Sequence, residues 1–133
     1  MMYRLHDTSV WVDFRRNIYA PHTNLLDQDL IENKVCICPV IVQEVLQGVR
    51  LDVEFNNIKN DFSALHLLDF DSMQAAIAAA QLYRQLRQKG VTIRKPNDCL
   101  IAAYAIHFEV ELCHNDSDFD LIAAHTSLKI WQP

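Results

Sequence analysis

Glycine is nearly missing from this chain, with two in 133 residues, while half of the residues are hydrophobic. That pairing excludes a fibrous repeat or a disordered chain and points to a compact, helix-rich globule. No uncharged apolar run approaches the roughly 18 residues that cross a bilayer. A secretory leader is not written at the start either, because Arg4, His6, Asp7 and Asp13 interrupt any basic-then-apolar pattern. Positive charge is scarce: 12 Lys and Arg stand against 17 Asp and Glu, a net charge of −5. A basic surface is the usual mark of a nucleic-acid binder, so this balance counts against one. Paired cysteines at zinc-ligand spacing are absent too, since Cys36 and Cys38 are one residue apart and Cys99 and Cys113 sit alone in apolar surroundings. All four read as reduced, buried small hydrophobes. The expectation is a soluble, cytoplasmic, single domain over residues 1–133, large enough for a real core.

What is present is an alternation of short apolar runs and amphipathic stretches. Tyr3 to Asp7 reads as a strand, Thr8-Ser9 as a turn, residues 17–24 as a loop and 25–33 as a short helix. A second strand, Lys34 to Cys38, is apolar on both faces, as in the middle of a parallel sheet. Pro39 then opens a helix to about Arg50, with Ile41, Val42, Val45, Leu46 and Val49 on one face. Glu44 borders that face, and Gly48, one turn on, leaves room beside it. A helix carrying Val53, Phe55, Ile58, Phe62 and Leu65 follows, then a brief extended piece at 66–70. Asp71 or Ser72 caps an Ala-rich helix ending at Lys89, with Gly90 as its stop. Cys99 to Ile106 carries no charge and reads as a buried helix that begins at Asn97 or Asp98, behind Pro96. A strand at 111–115, a short helix through Ala124 and a last strand at 127–131 complete the chain. This order predicts an α/β fold with helices on both faces of a parallel sheet, and a ligand site beyond the strands' carboxyl ends.

Four acids fall where that site would be. Asp7 ends the first strand, Asp116 follows the fourth, Asp98 heads the buried helix and Glu44 lies on the helix after the second strand. Singly, each has a plain explanation: a turn cap, an Asx-turn, a helix-capping acid and a solvated helix acid. Together, such a cluster repels itself unless a cation fills it. Oxygen-rich sites suit Mg²⁺ or Mn²⁺, and such ions lower the pKa of water and neutralise charge on a phosphodiester.

The segments Leu5-His6-Asp7-Thr8-Ser9-Val10-Trp11-Val12-Asp13, Pro39 to Gly48, Pro96-Asn97-Asp98-Cys99-Leu100-Ile101-Ala102-Ala103 and Asn115-Asp116-Ser117-Asp118-Phe119 resemble the PIN-domain family, and within it the VapC-type ribonuclease toxins of toxin–antitoxin pairs. Each segment is a weak signal alone; four in register are specific. The resemblance implies a three-layer α/β/α fold with a central, mostly parallel sheet and a Mg²⁺- or Mn²⁺-dependent endoribonuclease. It carries metal binding to Asp7, Glu44, Asp98 and Asp116, with Asp118 auxiliary and Ser9 as a supporting hydroxyl. It also implies an RNA substrate, a cognate antitoxin with a basic segment, and a homodimer. For the dimer, the Phe55, Ile58 and Phe62 face is a candidate contact, with core packing as the alternative.

His6 and His114 depart from the family pattern, which has an aliphatic and a small hydroxyl residue there; a satisfied core histidine is the plainer reading for each. Setting the four acids aside leaves a net charge of −1, so the remaining surface is nearly neutral. Arg84, Arg87, Lys89, Arg94 and Lys95 lead up to Asp98 as candidate phosphate contacts, or else as a helix end complementing its dipole. Two other functions compete. A catalytically silent PIN-like module would act through a protein partner. A phosphotransfer domain would want a second acid behind Asp7, where Thr8 and Ser9 stand.

Overall fold

Four strands of two or three residues form the centre of the molecule: β1 (Arg4–His6), β2 (Val35–Ile37), β3 (His66–Leu67) and β4 (Glu111–Cys113). The computed structural model describes residues 2–133. The strands lie in the order β3-β2-β1-β4, and all neighbours are parallel. Arg4 faces Val35 on one side and Glu111 on the other. Leu5, Cys36 and Leu112 are fully buried, as parallel strands covered on both faces require. The expected last strand shrinks to one bridge, Leu112 with Ile130, where Trp131 N–H donates to the Leu112 carbonyl along the outer edge of β4.

Seven helices connect and cover the sheet: α1 (Thr8–Arg15), α2 (Pro21–Ile31), α3 (Pro39–Gln47), α4 (Asp52–Ser63), α5 (Ser72–Gln88), α6 (Pro96–Phe108) and α7 (Asp118–Ala124). Helices α1 to α4 pack among themselves, and α5 packs along α6. With right-handed crossovers the two groups cover opposite faces, giving the three layers. Among the described residues no helix is long and apolar enough to cross a membrane.

Three helix starts differ from the sequence expectation, each for a capping reason. Thr8 and Ser9 open α1 instead of a turn, because Asp7 is extended and its carboxylate accepts the Ser9 N–H. Helix α2 begins at Pro21, inside the expected loop, where the Thr23 hydroxyl accepts from Ala20 N–H at 3.0 Å. Helix α6 begins at Pro96 itself, with Lys95 as the cap, so Asn97 and Asp98 lie within its first turn. Helix α5 follows expectation: Asp71 caps it through Gln74 N–H, and Gly90 beyond its end adopts φ 82°.

Helix α6 is the most buried helix, with Cys99, Ile101, Ala102, Tyr104 and Ala105 in the core against Leu82 and Leu86 of α5. Phe62 also belongs to the core, 5% exposed and edge-on to Trp11 at 5.0 Å between ring centres, whereas Val53 and Phe55 of α4 remain exposed. All four cysteines are free and buried. Burial pushes the thiols of Cys36, Cys38 and Cys113 up to about 12 and that of Cys99 to about 11, out of reactive range.

One polar network crosses this core. Arg4 Nη1 donates to both Asp29 oxygens at 2.9 and 2.7 Å, and its Nε donates to Glu111 at 3.1 Å. His6, fully buried, sits 2.9 Å from Asp29 through Nε2. Burial lowers the His6 pKa despite Asp29, so a neutral ring donates from Nε2 and leaves Nδ1 as an unpartnered acceptor. Burial alone would raise Asp29, yet His6 and Arg4 hold it below its ordinary value. His6 is thus a core histidine tied to α2.

Candidate metal centre

The residue after His6 faces the other way. Asp7 leaves the end of β1, its N–H donating to the Cys113 carbonyl of β4 at 2.9 Å, and it is 4% exposed. Its Oδ2 accepts from Ser9 N–H at 3.1 Å and from the Ser9 hydroxyl at 2.6 Å. Burial raises the Asp7 pKa, the Ser9 bonds oppose that rise, and Glu44 adds to it. Ser9 is held in turn, accepting Asn115 N–H at 3.0 Å.

Asp98 approaches from the first turn of α6. It is also 4% exposed, and its Oδ2 is buried without any hydrogen-bond partner. Burial, then the charges of Asp7 and Asp116, push its pKa up to about 7, with Lys95 opposing. Glu44 comes from α3, where Thr8 Oγ1 donates to Oε1 at 2.7 Å and Asn97 Nδ2 to Oε2 at 3.5 Å. Gly48 does not shape this spot. A side chain there would meet only the Val45 and Glu44 carbonyls at 3.6 and 3.9 Å, which is ordinary contact.

Asp116 lies in the loop after β4. Its Oδ1 accepts Asp118 N–H at 3.0 Å and its Oδ2 accepts Lys95 Nζ at 3.0 Å. Burial would raise this carboxyl, but the Asp118 amide, Lys95 and Arg94 hold it below its ordinary value. Asp118, at the start of α7, is buried and pairs with Arg94 at 3.3 Å. Asp98, Asp116 and Asp118 each offer an oxygen within 4.8 Å of the others. Asp7, Glu44, Asp98 and Asp116 share one cleft of about 360 Å³, together with Thr8, Ser9, Asp13, Lys95 and Asn115.

The expected basic run divides. Lys95 and Arg94 reach the acids, but both are more than half exposed and pair with Asp116 and Asp118, not with Asp7 or Asp98. Arg84, Arg87 and Lys89 do not line the cleft: Arg87 lies over the Tyr83 ring and Lys89 Nζ donates to the His125 carbonyl. His114 stands at the rim, its Nδ1 accepting Asp116 N–H at 3.0 Å and its Nε2 donating to Asp120 Oδ1 at 3.0 Å. Thr8, Asn97, Asp13 and Asn115 stand in the segments that resemble the family, but nothing in the sequence assigns them a role at this place. Their partners are far away in the chain, as with Asn115 Nδ2 donating to Asp13 across 102 positions.

Chemically, the cleft is a set of hard oxygen donors whose two deepest carboxylates lack a cationic partner among the described residues. An orphaned buried oxygen on Asp98 and raised pKa values on Asp7 and Asp98 fit a divalent ion bound by carboxylates.

Fold and cleft together define an α/β domain with acids gathered at the carboxyl edge of an all-parallel sheet. The PIN domain model matches residues 5–124, and the chain belongs to the PIN-domain family. It is 36% identical over 129 residues to the ribonuclease VapC11 of Mycobacterium tuberculosis, covering 94% of this chain and 95% of that protein. Its fold superimposes on the DNA-bound VapBC of Salmonella typhimurium with a TM-score of 0.77 at 25% identity, covering 98% of each chain. VapBC2 of Rickettsia felis, bound to a promoter DNA fragment, shares the fold with a TM-score of 0.75 at 23% identity, covering 99% of this chain and 100% of that one.

Proposed function

We propose that this protein is an endoribonuclease dependent on Mg²⁺ or Mn²⁺ and the toxin of a toxin–antitoxin pair. Its similarity to the ribonuclease VapC11 across nearly the whole chain supports the substrate class. The observation that carries the site is Asp98 Oδ2, buried and unpartnered beside Asp7 and Asp116 with its pKa pushed up to about 7. Asp7, Glu44, Asp98 and Asp116 would hold the ion, with Asp118 auxiliary. Bound there, a hard divalent ion supplies positive charge to the phosphodiester and acidity to water.

The chain's own groups supply the rest. Ser9 fixes Asp7 through two hydrogen bonds to one oxygen. Thr8 and Asn97 hold the two Glu44 oxygens apart. Lys95 and Arg94, exposed at the cleft mouth, exchange Asp116 and Asp118 for phosphate oxygens when RNA arrives.

The VapBC likeness supports an antitoxin partner. A basic or arginine-bearing segment of that partner would occupy the acids in place of metal and substrate. A homodimer, one domain per chain and a cytoplasmic setting complete the reading. The test is cleavage of structured RNA with Mg²⁺ or Mn²⁺. Activity is expected to vanish with EDTA and with Asp98→Asn; activity that survives both overturns the assignment.

A further inference from the structure

A second hollow, of about 270 Å³, lies beside the acid cleft and is lined by Pro21, His22, His114, Asp120, Trp131 and Gln132, among others. The two cavities are stitched together at two points. His114 accepts Asp116 N–H on its cleft side and donates to Asp120 on the other. His22 pairs at 2.8 Å with Asp13, which lines the acid cleft. Trp131 is half-buried, and its backbone is pinned by the bond from its N–H to the Leu112 carbonyl at 2.9 Å. These features form a small chamber with flat rings on its walls, joined to the proposed metal centre through His114.

The charge of the chamber decides what it takes. Asp120 is 60% exposed in its side chain and has one oxygen engaged by His114, so the other faces solvent as an unused acceptor. With Asp116 behind the wall, a phosphate is kept out of the chamber itself and stays in solvent at its mouth. An uncharged ring that stacks and offers hydrogen-bond donors is attracted instead. Unpaired bases are read in this manner, stacked on aromatic side chains and bonded along their Watson–Crick edges. Guanine sets two N–H donors side by side, so that one free carboxylate oxygen can accept from both.

We infer that this chamber is a base-reading pocket in which Trp131 stacks on an unpaired guanine and the free Asp120 oxygen accepts from both its N1–H and its 2-amino group. The pocket deepens the ribonuclease reading and rests on it for the presence of a nucleotide beside the acids. It assigns sequence selection to residues outside the metal cleft.

Guanosine monophosphate has no internucleotide bond, so its binding is read without cleavage. Titrated into the protein, it should quench the Trp131 emission, whereas inosine monophosphate, lacking the 2-amino group, should bind about tenfold more weakly. Trp131→Phe should abolish the quench and leave the emission of buried Trp11 in place. Asp120→Asn should erase the preference for guanosine over inosine while leaving Mn²⁺ titration and the circular dichroism spectrum unchanged. On RNA, Asp120→Asn should raise KM and scatter the cut positions with kcat retained. If the wild type cuts RNA but guanosine monophosphate neither quenches Trp131 nor outbinds inosine monophosphate, the pocket is refuted and the ribonuclease reading stands. A guanosine-specific quench in a protein that cuts no RNA refutes the ribonuclease and keeps the pocket. Absence of both overturns both.

Discussion

His6 and Asp7 are neighbours in the chain, yet they belong to two clusters of acids with opposite fates. On one side, Asp29 is 3% exposed in its side chain but receives Arg4 and His6, and its pKa falls. On the other, Asp98 is nearly as buried, has an oxygen with no partner, and its pKa climbs to about 7. Both clusters are made from ordinary carboxylates. The difference is whether the fold supplies the opposing charge. Where it does, the acid is a fastener between β1 and α2; where it does not, the acid is poised for a ligand from outside.

Breaking the fastener gives the largest effect. Asp29→Ala strands the Arg4 guanidinium and removes the partner of His6, and should cost about 3 kcal/mol in urea unfolding, as losing one partner of a buried pair does. Asp98→Asn should do the reverse in the absence of metal, adding roughly 1–3 kcal/mol, because it deletes a buried charge held against its neighbours. The same variant should lose Mn²⁺ binding by calorimetry. A destabilised Asp98→Asn protein would mean that the carboxylate is met by a partner after all.

A pH series sharpens this contrast. Asp98 has a folded-state pKa of about 7 against an ordinary 3.8, so the unfolded chain releases this proton first as pH rises. Its contribution to stability is full below about pH 4 and is lost by about pH 7. The gap in stability between Asp98→Asn and the metal-free wild type should therefore widen from pH 4 to pH 7 and then level off. A gap that stays constant removes Asp98 as its source. The smallest effect belongs to Lys95. As an exposed partner of Asp116 it contributes under about 1 kcal/mol to stability. Lys95→Ala should tighten Mn²⁺ binding by freeing an Asp116 oxygen, while raising KM for RNA.

The parts of this fold that could be read from residues alone are those governed by burial. The apolar run at 35–37 is a strand, as is 111–113 behind its leading Glu111, and the uncharged stretch through Ile106 is the central helix. Helix starts were harder, because one side-chain bond decides them: Asp7 to Ser9 N–H turned an expected turn into α1. At the acids, placement relative to strand ends was enough to bring Asp7, Glu44, Asp98 and Asp116 to one cleft. Proximity along the chain does not foretell how the basic run divides: Arg94 and Lys95 pair with Asp118 and Asp116, while Arg84, Arg87 and Lys89 lie outside the cleft. Thr8 with Glu44, and Asn115 with Asp13, pair across 36 and 102 positions, and periodicity carries no trace of such meetings.

Strand order has a consequence in time as well as in space. β1 sits between β2 and β4, so the residues next to Asp7 on one side are made more than a hundred positions later. Such long-range pairing slows folding. On the ribosome, a chain synthesised as far as β3 holds Asp7 and Glu44 but not yet Asp98 or Asp116. The four acids of the cleft are therefore not gathered until residue 116 has been made.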